Sequence, residues 1–252
     1  SEQATFFNFL AGHDGIGMLP VKNILSIEDL NEAIKRALEL DGFVSYRSNE
    51  DGSQSPYELN INYLDVLSDP KTPKDDIELI TKRFLATQAI MLALRGVPGI
   101  YFHSLFGSQN WREGVKETGR YRTINREKLS LEKLEQELSD TGSLRYHIFQ
   151  GYCKLLKARK TNPAFHPFGE QEILSVHPSV FGLLRTSLDQ KTKTICLHNV
   201  TRQRLKVSLD LEGLLLDKAT TLTDILSQKE IPVESQYLKI RLAPYDIFWL
   251  GK

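Results

Sequence analysis

Cysteine is nearly absent: Cys153 and Cys196 are the two in 252 residues, and their spacing suits neither a metal site nor a disulfide framework. Cys153 falls on an expected helix and Cys196 on an expected strand, so both read as buried, reduced thiols. An excess of charge of either sign is also missing. Lys plus Arg and Asp plus Glu each total 32, leaving no electrostatic footprint for nucleic acid or an anionic membrane. Neither a secretory pattern nor an apolar run long enough to cross a membrane is present, so the expected compartment is the cytoplasm. In that compartment the glycosylation-type triplet Asn199-Val200-Thr201 carries no meaning. Internal repeats and low-complexity segments are lacking as well. The first residue is Ser1 rather than Met, a few residues before a buried-type strand, which reads as a piece of a longer chain.

What is present is ordinary globular composition, 40% hydrophobic and 25% charged, at a length that allows one large domain or two smaller ones. Phe6 to Ala11 reads as a strand buried on both faces. Ser26-Ile27-Glu28-Asp29 opens a helix with an apolar stripe of Leu30, Ala33, Ile34, Ala37 and Leu38, closed by Gly42. Residues 43–46 and 55–59 flank the turn-rich Asn49-Glu50-Asp51-Gly52 as a hairpin. A largely buried helix follows from about Pro73 to Leu94, and Gly96-Val97-Pro98-Gly99 breaks it to launch a second strand over residues 100–103. Two buried strands with a helix between them fit a crossover in a parallel sheet. Residues 104–129 read as a polar loop, followed by helices over 131–138 and 143–159, the second ended by Asn162-Pro163. From Glu170 the period changes to short strands separated by polar turns, expected near 173–176, 180–186, 193–199, 204–209, 220–226, 237–242 and 247–250.

The candidate for chemistry is His13-Asp14, placed at a strand end and followed by Gly15-Ile16-Gly17. In a (β/α)8 barrel the active site sits where strands end, and a carboxylate fixed there can stabilise developing positive charge. The other reading is a strand stop with Asp14 as turn residue or helix cap, and spacing alone leaves both open.

The stretch Phe9 to Gly17, with Tyr57-Glu58-Leu59-Asn60, residues 96–101 and Thr123-Ile124-Asn125-Arg126, resembles the sucrose phosphorylase branch of the α-amylase superfamily, glycoside hydrolase family 13. The resemblance runs closest to sucrose 6-phosphate and glucosylglycerate phosphorylases. It covers the whole chain in order but only the C-terminal half of such an enzyme. It implies an α/β plus all-β protein: the C-terminal portion of a (β/α)8 TIM barrel, strands seven and eight, over residues 1–169, with an inserted subdomain at about 18–65. A small antiparallel β-sandwich domain would occupy 170–252. The implied reaction is retaining glucosyl transfer from a small α-glucoside to phosphate, giving α-glucose 1-phosphate, with no metal or organic cofactor.

By the same resemblance Asp14 is the third catalytic carboxylate, His13 hydrogen-bonds the glucose ring, and Arg126 reaches the closed end of the glucose pocket. Tyr57 and Glu58 border the acceptor and phosphate position, where Ser55 and Glu58 depart from plain sucrose phosphorylases and favour a phosphorylated or acidic acceptor. For Glu58 a solvent-facing hairpin residue stays open as the alternative. The nucleophile and the acid/base have no matching segment here, so this polypeptide alone is expected to be catalytically incomplete. His103 reads as a satisfied core histidine, Trp111 either as a sugar-stacking ring or as packing, and Arg112, Arg120 and Arg122 as solvated loop charges. The rival functions are a hydrolase or transglucosylase of the same superfamily, and a non-catalytic carbohydrate-binding or interaction module centred on 170–252. The expected partners are a small α-glucoside and phosphate. Open parallel strand edges would add self-association or pairing with the other part of the barrel.

Overall fold

The computed structural model describes residues 4–21, 23–69, 76–214 and 220–252. In chain order the elements are β1 (Phe7–Asn8), β2 (Ile16–Gly17), α1 (Ile27–Glu39), β3 (Phe43–Ser48), β4 (Gln54–Asn60), α2 (Tyr63–Val66), α3 (Ile77–Ala93), β5 (Val97–Pro98), α4 (Phe102–Leu105), α5 (Arg112–Thr118), α6 (Leu131–Ser139) and α7 (Leu144–Thr161). Eight strands follow: β6 (Glu170–His177), β7 (Val180–Thr186), β8 (Lys193–Asn199), β9 (Leu205–Asp210), β10 (Thr221–Asp224), β11 (Glu230–Glu234), β12 (Tyr237–Leu242) and β13 (Ile247–Gly251). The chain forms two compact units, one of residues 1–8, 76–99 and 150–252, the other of 9–75 and 100–149.

In the first unit β6 to β13 form one antiparallel sheet, in the order β6-β7-β8-β13-β10-β11-β12-β9. Its end strands β6 and β9 approach each other, so the sheet curls almost to closure and hides its edges. Strict alternation in β9 and β12 sends Leu205, Val207 and Leu209, with Leu238, Ile240 and Leu242, into a core shared with Leu184, Ile195, Leu197 and Leu250. β7 and β8 are buried on both faces because α3 packs against them from outside. That outer layer contains Cys196 and Trp249, the latter 4.6 Å ring to ring from Phe165. Burial pushes the Cys196 thiol well up from its ordinary pKa. Beside it His198 Nδ1 lies 3.1 Å from the Phe181 carbonyl, and the Trp249 indole N–H donates to Nε2 at 3.2 Å. Nε2 therefore accepts, the ring is neutral, and burial holds its pKa down at about 4.

α3 is apolar nearly all round, burying Phe84, Ala86, Ala89, Met91 and Leu92, which is the pattern of a core helix. Its last carbonyls are met by cations: Arg185 Nη1 donates to Ala93 O at 2.7 Å, and Arg159 donates to Leu92 O and, at 2.7 Å, to Gly96 O. In the same unit β1 pairs in parallel with β5, Phe7 opposite Val97. Gly96 is required at that junction, since its φ is +121° and a Cβ would meet Phe6 O at 2.6 Å.

In the second unit α1 packs on the three-stranded sheet β2-β4-β3, around Met18, Ala37, Val44, Leu59 and Ile61. A capping box starts α1: the Ser26 hydroxyl accepts from the Asp29 N–H, and the Asp29 carboxylate accepts from the Ser26 N–H.

Several expectations need correction. Residues 100–103 are not a strand. The ladder to β1 closes when the Gly99 N–H reaches Asn8 O at 2.7 Å, and the Leu105 N–H to Tyr101 O bond then winds α4. The segment Phe6 to Ala11 is not buried on both faces, because among the described residues β1 has β5 as its one neighbour and Phe6, Phe7 and Phe9 are each over 60% exposed. Residues 104–129 are not mere loop: they contain α5, ended by Gly119 in the left-handed region, and a 3-10 turn over Tyr121–Asn125. Asp41 (φ 65°), not Gly42, takes the left-handed turn after α1, while Gly42 is needed for close approach to Ala37 O and Ile61. Cys153 is exposed, on the outer side of α7. Pro73 lies outside the described residues.

Candidate functional site

The site lies wholly in the second unit. After β1 the chain runs through Gly12-His13-Asp14-Gly15 into β2, whose Ile16 and Gly17 pair with Leu59 and Glu58 of β4. Gly15 makes this possible, because a Cβ there would stand 2.2 Å from Leu59 O, against backbone that cannot yield. Asp14 is held from the other side by the 3-10 turn: the Asn125 side-chain amide donates to Asp14 O at 2.9 Å, and the Tyr101 hydroxyl donates to Asn125 O at 2.6 Å. Partial burial raises the Tyr101 pKa, favouring the protonated phenol that this bond requires.

The Asp14 carboxylate is the meeting point of two guanidiniums. Arg126 Nη2 donates to Oδ1 at 2.9 Å while its Nε donates to His13 O at 2.8 Å. Arg122 Nη1 lies 3.1 Å from the same Oδ1. The His13 ring is exposed, with Nε2 3.6 Å from Oδ1. Arg122 continues the network inward. Its Nε and Nη2 donate to the two oxygens of Glu58 at 3.0 and 2.7 Å, a fork-to-fork pair. Glu58 also accepts from the Asn60 amide, whose oxygen accepts from the Ser45 hydroxyl at 2.6 Å. The bond to Glu58, assisted by the field of Asp14, raises the Arg122 pKa further above its already high ordinary value.

Thus four of the five expected site residues share this region, and His13, Asp14, Arg126 and Glu58 belong to one network. The solvent-facing alternative for Glu58 is overturned: its side chain is only 6% exposed, because β4 turns it inward onto Arg122 and Asn60. Tyr57, adjacent to Glu58 on β4, is half-buried and is the residue left unpaired at the bulge opposite Ser45 and Tyr46. Its phenol still adds to the field that favours charged Arg122. Arg122 itself is the residue that sequence reasoning underrated. Its spacing from Arg126 on a short helical turn is the signal that both reach the same carboxylate.

Beside Asp14 lies a cavity of about 10 Å³, enough for about one water, lined by Gly12, Asp14, Ile61, Tyr63, Tyr101 and Asn125. His103 is buried with Nδ1 2.8 Å from the Ser108 hydroxyl, and burial with nearby Arg145 lowers its pKa, so it is a satisfied core histidine. The Trp111 ring packs under the loop against Gly114, where a Cβ would meet it at 2.3 Å. Arg112 pairs with Asp41 at 2.5 Å. Among the described residues no His, Cys, Asp and Glu group could hold a metal ion, and no helix is long and apolar enough to cross a membrane.

No family model matches the chain. Glucosylglycerate phosphorylase of Spirochaeta thermophila is 49% identical over 199 residues, 79% of this chain and 33% of that protein. Glucosylglycerate phosphorylase of Escherichia coli is 32% identical over 251 residues, 99% of this chain and 42% of that protein. The chain is homologous to glucosylglycerate and sucrose phosphorylases. Its fold agrees with that of the crystal structure of sucrose 6F-phosphate phosphorylase from Thermoanaerobacter thermosaccharolyticum, at a TM-score of 0.63 and 20% identity, over 94% of this chain and 41% of that one. The chain thus spans between a third and about two-fifths of the length of the curated relatives it matches. It corresponds to their C-terminal portion: the end of the α/β barrel followed by the antiparallel β-domain.

Proposed function

We propose that this chain supplies part of the active site of a retaining α-glucoside phosphorylase, which transfers a glucosyl group from a small α-glucoside to phosphate. Asp14 is its third carboxylate, gripping sugar hydroxyls and stabilising the oxocarbenium-like transition state. The observation that carries this reading is the Asp14 carboxylate fixed by Arg122 and Arg126 on one oxygen, within a turn that has open space at Gly12. A carboxylate so held keeps its aim as positive charge develops at the sugar.

In this reading His13, exposed and next to Asp14, binds the glucose ring, and Arg126 closes the end of the pocket. Tyr57 and Glu58 stand on β4 at the acceptor side. The relatives' name, glucosylglycerate phosphorylase, supports an acidic acceptor. The chemistry calls for no metal or organic cofactor, and the site operates in the cytoplasm. The barrel portion ends near residue 169, with the insert at about 18–65, and 170–252 is the terminal β-domain. Nucleophile and acid/base come from outside this chain, so the polypeptide assayed alone turns over no glucoside, and its open strand pair β1–β5 associates with the other part of the barrel or with a copy.

The test is an assay of the full-length enzyme on glucosylglycerate with and without phosphate. Phosphate-dependent appearance of α-glucose 1-phosphate is the expected result. Equal release of glucose without phosphate would replace the phosphorylase reading with a hydrolase one.

A further inference from the structure

We propose that Arg122 receives an oxyanion at this site, a phosphate or the carboxylate of an acidic acceptor, and that Glu58 is its positioning residue rather than a contact for acceptor hydroxyls. The inference rests on the glucosyl-transfer reading above and assigns its anion-recognising group.

Glu58 orients the Arg122 guanidinium. Its carboxylate, 6% exposed, accepts from Arg122 Nε, Arg122 Nη2 and the Asn60 amide, and Asn60 is itself anchored by Ser45. A buried carboxylate with these partners is electrostatically satisfied and offers little surface to a ligand. What it achieves is to fix the plane and direction of one guanidinium.

Arg122 has five N–H donors. Two are occupied by Glu58, and Nη1 stands 3.1 Å from Asp14 Oδ1 as an ion pair, so at least two remain on a side chain that is 41% exposed. A guanidinium held along one edge presents its other donors without loss of rotamer freedom, which is what bidentate recognition of a planar or tetrahedral oxyanion needs. Counting Glu58, two guanidiniums meet two carboxylates, so the cluster is neutral overall. Its attraction for an oxyanion lies in the directed, partly exposed donors that Glu58 leaves on Arg122. A neutral hydroxyl would gain far less from the same group.

Full-length enzyme given the uncharged donor α-glucosyl fluoride tests this, with inorganic phosphate and glycerate as separate acceptors. Arg122→Gln should raise the KM for the anionic acceptor by roughly 10- to 100-fold, the range for loss of charge-assisted hydrogen bonds, while the KM for the donor stays within about threefold. Glu58→Gln, which keeps the shape but not the charge, should raise the same acceptor KM about tenfold with little change in donor KM. A rise confined to phosphate or to glycerate names which source of the anion Arg122 serves. Unchanged acceptor KM values for both anions in Arg122→Gln would overturn the proposal while leaving the phosphorylase reading in place.

A binding arm separates the two ideas in the other direction. On adding inorganic phosphate to this chain, the Arg122 Nε–H resonance, identified by its loss in Arg122→Lys, should shift with saturation. If it does so while the full-length enzyme shows no phosphorolysis, the anion site stands and the functional reading falls. No shift with phosphate or glycerate would contradict the site. Unaltered circular dichroism and melting of the variants show that the fold is intact.

Discussion

The molecule uses paired arginines twice, in opposite ways. In the unit with the β-domain, Arg185 is fully buried and donates to the carbonyls of Ala93, His166 and Glu170, while Arg159 meets Leu92 O and Gly96 O. Backbone dipoles are the chief partners of both, and burial, reinforced by Arg159, lowers the Arg185 pKa to about 10, still charged at neutral pH. In the other unit Arg122 and Arg126 stand half-exposed on carboxylates, and Glu58 drives the Arg122 pKa up. The first pair ties off the C-terminus of α3 and joins it to β7. The second leaves donors facing solvent. The same side chain is therefore a staple where its partners are fixed dipoles, and a ligand-directed group where its partners are carboxylates.

Breaking that contrast should give unequal losses of stability. Arg185→Met removes the staple and strands several buried carbonyls, so it should destabilise the β-domain unit by about 3–5 kcal/mol in urea unfolding. Acid should weaken the same unit through His198. Its folded pKa of about 4 lies below the ordinary 6.5, so the unfolded chain takes up the proton first. Stability is full above pH 6.5 and falls as the pH drops towards 4, by about 3 kcal/mol in all. Urea midpoints at pH 7, 5.5 and 4.5 would show this slope, and His198→Gln should flatten it. Gly15→Ala presses a methyl against Leu59 O and should cost the second unit about 2–3 kcal/mol, read by hydrogen exchange of β4 amides. The smallest stability effect is expected for Asp14→Asn, below about 1 kcal/mol, because its ion pairs are half-exposed.

Much of this was legible from residue order. The Ser26–Asp29 capping box and the alternation of Leu205, Val207 and Leu209 are local signals, and each produced the element it announced. The glycines after Asp14 read as a sharp turn with space beside it, whereas Gly15 is required because Leu59 O lies against it. Three features were hidden for physical reasons. β11 contains Pro232, which argues against a strand until its place in the ladder is known. Val97 and Pro98 lie between glycines and read as a break, yet the strand forms there because the backbone bonds to Phe6 and Asn8 are local to that bend. Glu58 and Arg122 are charged and 64 residues apart, so the sequence presents two solvated side chains where folding makes one ion pair with its carboxylate buried. The packing of the 3-10 turn against β4 brings the two together.

Asp14 carries the proposed chemistry, and the full-length enzyme with Asp14→Asn puts that role to the test. Turnover of glucosylglycerate with phosphate should fall by at least about a thousandfold, since a group that stabilises the transition state is lost, while the melting temperature stays within a few degrees. A variant that retains activity within tenfold of the parent, with the same melting temperature, would show that Asp14 is a turn residue and not part of the catalytic machinery.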